Sequence, residues 1–140
     1  MKILTLATRL NAPLRLYTGS PDMVAIKHLP DPVAAAIAPA PRGHLLAWSA
    51  ADLGVAGFTQ NLRSVVLPFP MRSAGIGSMQ PAKGRGFVML YARTSDTGMI
   101  HILGSETFQQ DALDGLLAQQ AALGELLGCT LSVDDWGFDC

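Results

Sequence analysis

Three histidines, two cysteines and eleven carboxylates are the groups in this 140-residue chain best suited to chemistry, and their spacing argues against most of it. His28, His44 and His101 are scattered, and Cys129 and Cys140 form no CxxC pair, so no zinc-type ligand set is spelled out. The sequence therefore predicts no metal and no cofactor. Asp96-Thr97-Gly98 has the letters of an aspartic-protease loop, in which two carboxylates share a proton. The preceding Arg93, Thr94 and Ser95 are not the apolar lead-in such a loop needs, and a turn between two strands explains the same letters. GIGSM (75–79) and GRG (84–86) look friendly to phosphate, but no GxxxxGK[ST] is present and no GxGxxG joins a strand to a helix. The chain has no GxSxG elbow for a nucleophilic serine. His101 alternates with Met99 and Leu103 on one strand face, the setting of a half-buried structural imidazole. Cys129 reads as a small buried apolar residue and Cys140 as an exposed chain end. No catalytic residue is assigned, and the reading leans away from an enzyme.

These groups must be held by one domain spanning 1–140, long enough to bury a core without metals or disulfides. Apolar residues make up 49% and charged residues 15%, which fits a well-buried core or a sizeable protein interface and excludes disorder. Residues 1–93 carry ten bases and three acids, and residues 94–140 carry eight acids and no base, a net +7 followed by −8. Either the acidic part packs beside the basic part, or a dipolar molecule meets its own copies end to end. Neither arrangement leaves the uncompensated basic face that nucleic acid requires. MKILTLATRLNAP lacks the unbroken apolar run of a signal peptide, and no run of about 18 apolar residues exists to span a membrane. The expectation is a cytoplasmic protein with reduced thiols.

KILTLATR and PLRLYTG read as strands, and DPVAAAIA as a short helix with Asp31 as its cap and Pro32 in the first turn. HLLAWSAADL reads as a second helix, broken by Gly54 and Gly57. In NLRSVVLPFPM, Val65, Leu67, Phe69 and Met71 share a strand face, while Pro68 and Pro70 remove two donors from one lateral side. That strand must become an edge, or leave its sheet, at Pro68. Residues 72–86, with their glycines and the bases Arg72, Lys83 and Arg85, read as a mobile loop or lid. GFVMLYART, apolar on both faces, and GMIHILGS read as strands joined by SDTG, the first of them central. FQQDALDGLLAQQAALGELLG reads as one amphipathic helix with a stripe of Leu113, Leu116, Leu117, Leu123, Leu126 and Leu127, ended by Gly128. CTLSV reads as a last strand.

The run RSVVLPFPM, a loop, GFVMLYART and a helix opening on Phe and acids resembles the C-terminal half of a GAF-type sensory domain. Asp31-Pro32-Val33, followed by Trp48-Ser49, is similar to a segment of the acyl-homoserine-lactone-binding domains of quorum-sensing regulators. The resemblance implies a central, mainly antiparallel sheet with packed helices, GAF- or PAS-like. It also implies that Asp31 accepts a ligand amide and that Trp48 packs on the lactone ring. An amide-bearing amphiphile needs one fixed acceptor and one flat apolar wall, so Phe69 or Tyr91 should line the same pocket, between the sheet and loop 72–86. The function expected is thus a small-molecule-binding sensory or regulatory domain of α/β (α+β) class. The first alternative is a ligand-free interaction or dimerisation module; the second is a small enzyme using His101 or the 72–86 loop on an anionic substrate. Expected partners are a small amphiphilic ligand and a protein partner or homodimer, with no nucleic acid and no membrane.

Overall fold

The structure, a computed structural model, describes residues 1–8, 14–19, 23–81, 84–93 and 98–136. Ser95, Asp96 and Thr97 of the expected SDTG turn, together with Thr94, Lys83 and Cys140, lie outside that set. In chain order the elements are β1 (Lys2–Ala7), β2 (Arg15–Leu16), β3 (Met23–Ala25), α1 (Asp31–Ile37), β4 (Leu45–Ala50), β5 (Val55–Gln60), β6 (Arg63–Pro68), β7 (Ser73–Met79), β8 (Phe87–Arg93), β9 (Met99–Ser105), α2 (Gln110–Ala118), α3 (Gln120–Leu127) and β10 (Leu131–Asp135), with 3-10 turns at Ile26–His28 and Ala51–Leu53. The fold is mixed α+β. Instead of one central sheet it has two of five strands: sheet I in the order β1-β4-β5-β6-β3 and sheet II in the order β10-β7-β8-β9-β2. Every pairing is antiparallel except β10 with β7.

The two prolines mark the passage from one sheet to the other. β3 pairs with β6 only over Arg63–Val65, so β6 continues to Pro68 with β5 alone beside it. The Phe69 N–H donates to the Gly54 carbonyl on the β5 side (2.9 Å). Pro68 and Pro70, one residue either way, turn their donorless nitrogens to the side where the ladder has already ended. The Met71 N–H then donates to the Leu127 carbonyl at the end of α3 (2.9 Å), and Ser73 opens β7 in sheet II. The segment that begins as strand and sheds its donors is therefore the corner between the sheets.

Two expectations are corrected here. Residues 45–53 are not a helix: β4 runs through the middle of sheet I with all six residues buried, Leu45 and Ala47 facing one core and Leu46 and Trp48 another. A strand covered on both faces reads as a continuous apolar run, which periodicity does not separate from a buried helix. Nor is 72–86 a loop, because Ser73–Met79 is β7, flanked by β10 and β8. The run expected to be a single C-terminal helix is also split, at Gln119, into α2 and α3. Gly128, at φ +77°, caps α3 in the left-handed conformation, as its position predicts.

The main core lies between the inner faces of the sheets, where Phe58, Val65, Leu67, Ile76, Val88 and Leu90 meet the helix pair through Leu116, Leu123 and Leu127. Leu117, expected in the buried stripe, is instead exposed. The helices pack on β1 and β4 of sheet I and on β7 and β10 of sheet II, closing the side where both sheets end. At their junction the Gln119 amide donates to the Thr5 carbonyl of β1 and the Gln120 amide to the Leu131 carbonyl of β10, both at 2.9 Å. Two adjacent side chains thereby satisfy one edge acceptor on each sheet. A second core, with Val33, Ile37, Leu46 and Trp48, lies between α1 and the outer face of sheet I. Among the described residues no helix is long and apolar enough to cross a membrane.

Candidate functional site

The outer face of sheet II is built by alternation. β7 sends Ala74, Ile76 and Ser78 inward, so Gly75 and Gly77 form its outer surface, opposite Tyr91 and Met89 of β8. With no side chains on the middle strand, groups from its two neighbours can meet across it. The Tyr91 ring crosses Gly75 and its hydroxyl donates to the Asp134 carboxylate of β10. Ser132 Oγ lies 3.3 Å from the same hydroxyl and 3.2 Å from that carboxylate. The Trp136 indole lies over Gly77, with ring centroids 5.6 Å from Phe87 and 5.7 Å from Tyr91. The Arg93 guanidinium lies 5.5 Å from the Tyr91 ring centroid, a cation–π arrangement. Farther across, Tyr17 stacks on His101 at 4.6 Å.

Tyr91 is only 1% exposed, whereas Trp136 is 42%, Tyr17 39% and Met99 50% exposed. The face therefore has a fixed polar and aromatic floor and large apolar side chains standing open at both sides. Among the described residues, His101 Nε2 is buried without a hydrogen-bond partner. Burial lowers the pKa of this imidazole below its usual value, and a backbone hydrogen bond with Leu103 acts the other way. Ser132 meets Tyr91 and Asp134, and among the described contacts it has no imidazole to act as its base. The contacts among Tyr91, Ser132 and Asp134 hold β8 and β10 together across Gly75. Among the described residues no cluster of three metal-ligating side chains exists. Burial also raises the pKa of the Cys129 thiol, the direction opposite to nucleophilic activation.

The four residues expected to share a pocket are dispersed. Asp31 is exposed at the first position of α1; Pro30 occupies the cap position, and no side chain caps the helix. Trp48 is fully buried beneath α1, its Nε1 donating to Thr59 Oγ1 at 2.9 Å. Phe69 packs against the main core at the sheet-to-sheet corner, beside Gly128. Only Tyr91 belongs to the sheet II face. Sequence reasoning missed Trp136, Asp134 and the roles of Gly75 and Gly77. The available signal was the alternation of glycine with Ala74, Ile76 and Ser78, directly before a strand whose Phe87, Met89 and Tyr91 share one face.

No protein-family model matches the chain, and neither a curated protein nor a solved structure matches it.

Proposed function

We propose that this protein is an interaction module that works through the outer face of sheet II, and that the surface it receives there is a second copy of itself. The observation that carries the reading is the large apolar exposure on both sides of this face. Trp136 stands open on the β10 side, and Tyr17 and Met99 stand open on the β2–β9 side. Charge follows the same division. Asp134 lies on the β10 side of this face, and Arg93 and Arg15 on β8 and β2.

A two-fold axis running along the strands reverses the strand order from one copy to the next. It carries β10 of each copy over the β9–β2 side of the other, so Asp134 faces the row of Arg15 and Trp136 lies nearest Tyr17. An axis across the strands would put acid on acid. Such an isologous contact is the commonest way for identical chains to pair, and large aromatics are its usual anchors.

Sedimentation and native mass spectrometry of the full chain should find a dimer. Trp136→Glu and Tyr17→Glu should each give a folded monomer by circular dichroism. Ile3→Glu, at an equally open apolar residue on sheet I, should leave the dimer intact. A parent chain that is monomeric at high micromolar concentration overturns the proposal, as does a dimer indifferent to Trp136→Glu.

A further inference from the structure

At the end of sheet I marked by the β5–β6 turn, a cleft of about 170 Å³ opens between that turn and the segment leaving α1. Its floor and apolar wall are Ile37, Leu46, Ile26 and Leu62. Its polar lining is Arg42, His44, Thr59, Gln60 and Asn61, with the Gln60 amide already engaged by the Leu16 N–H and the Gly43 carbonyl, and among the described residues no carboxylate lines it. On the liquid share of about 30 Å³ per water molecule, the space equals roughly five or six waters.

Two further features point to a ligand here. The first is the hydrogen-bond arithmetic at the floor. Trp48 Nε1 donates to Thr59 Oγ1, and Thr59 Oγ1 and Ser64 Oγ share one hydrogen bond. Two hydroxyl hydrogens and one indole N–H thus make two bonds. One hydroxyl hydrogen of this buried pair has no acceptor among the described residues, and a buried donor left so is costly. The second is the wall. Asn61 and Leu62 form a two-residue hairpin turn with both φ values positive, +53° and +67°. A turn of this kind favours glycine at its second position, yet here an exposed leucine is held over the cleft. Strain kept beside a cavity is a mark of a working site.

We infer that this cleft binds a small monocarboxylate with a branched or aromatic apolar body. The body would lie on Ile37, Leu46 and Leu62, and the carboxylate would take the Arg42 guanidinium, an imidazole N–H of His44 and, with Ser64 donating to Thr59, the Thr59 hydroxyl hydrogen. This site is independent of the dimer face. It also gives small-molecule binding a place different from the expected Asp31–Trp48–Phe69–Tyr91 grouping.

The test is an NMR titration of the full chain with isovalerate and with benzoate, using isovaleramide as the uncharged analogue. Amides of His44, Thr59, Asn61 and Leu62 should shift with saturation for the carboxylates and not for the amide. Arg42→Gln should weaken binding about tenfold or more, since it removes a charge-assisted contact. Arg85→Gln, the same change at an exposed residue outside the cleft, should not. Leu62→Gly, which relaxes the turn and deletes the wall, should weaken binding while leaving the fold intact. No saturable shifts at millimolar carboxylate, equal binding of isovaleramide, or equal effects of Arg42→Gln and Arg85→Gln would each overturn the assignment.

Discussion

The outer faces of the two sheets use the same device and finish it differently. On sheet I the Trp48 ring of β4 lies over Gly57 of β5 and reaches Thr59, and α1 covers it completely. On sheet II the Trp136 ring lies over Gly77 of β7, beside Phe87 and Tyr91, and no described helix covers it. In both places a glycine on one strand makes room for an indole from its neighbour. The difference is whether the chain itself supplies the cover. A face with a packed floor and an open indole can be completed by association, whereas the α1 face is already complete.

The largest effect should come from deleting the indoles. Trp48→Ala removes a fully buried side chain and takes its donor from the Thr59–Ser64 pair, so it should cost about 3–5 kcal/mol in denaturant melts. Trp136→Ala loses ring contacts worth only about 1 kcal/mol in the monomer. The parent midpoint should also rise with protein concentration, because folding and dimerisation are linked, and Trp136→Ala should abolish that rise. Equal losses for the two variants at one dilute concentration would mean that the sheet II face is as closed as the α1 face.

Smaller, and aimed at the floors rather than the rings, is alanine at the glycines. A Cβ on Gly57 would press into the Trp48 ring and come within 2.7 Å of the Val65 carbonyl oxygen. The ring is held under α1 and the carbonyl is backbone, so Gly57→Ala should cost about 1–3 kcal/mol through overpacking. At Gly77 the nearest atoms all belong to the Trp136 ring, whose exposed side lets it swing away, so Gly77→Ala should stay within about 1 kcal/mol. The same variant should still weaken the dimer, since the indole leaves its position. A Gly77→Ala melt displaced as far as that of Gly57→Ala would show Trp136 to be locked in the isolated chain.

These pairs also show what the sequence could convey. Strand positions along β1, β6, β8, β9 and β10, the DPVAAAI helix and the Gly128 stop are legible, because each rests on local alternation, capping or turn chemistry. The prolines correctly mark a departure from a sheet. What lies on the other side of that departure was not legible. Gly75 and Gly77 look like loop residues until Tyr91 and Trp136 are known to cover them, and those residues are 16 and 59 positions farther along the chain. β4 was lost for the opposite reason: its two faces are both buried, by elements on either side of it in sequence, so the alternation that identifies a strand is erased. The positions of the expected site residues were not legible for the same reason. Asp31 and Trp48 belong to the same layer, but the helix that carries Asp31 is the lid that seals Trp48 from any ligand.

The smallest effect is a pH dependence carried by the open face of sheet II. His101 lies on the open face, stacked on Tyr17, with Nε2 buried and, among the described residues, unpartnered. Desolvation holds its folded pKa below the unfolded value of about 6.5. Above that value the imidazole is neutral in both states, and whatever it contributes to stability is fully present. As the pH falls below it, the unfolded chain takes up the proton first, so unfolding is favoured. The loss continues until the pH has passed the lowered folded value. His101→Gln keeps a side chain of similar reach and removes the titration. Denaturant melts between about pH 7.5 and about pH 5.5 should therefore show the parent losing more stability than His101→Gln. Parallel curves would mean that His101 is solvated in the folded chain. In that case the open face would be wet as well as uncovered, and a much weaker surface for a second copy to meet.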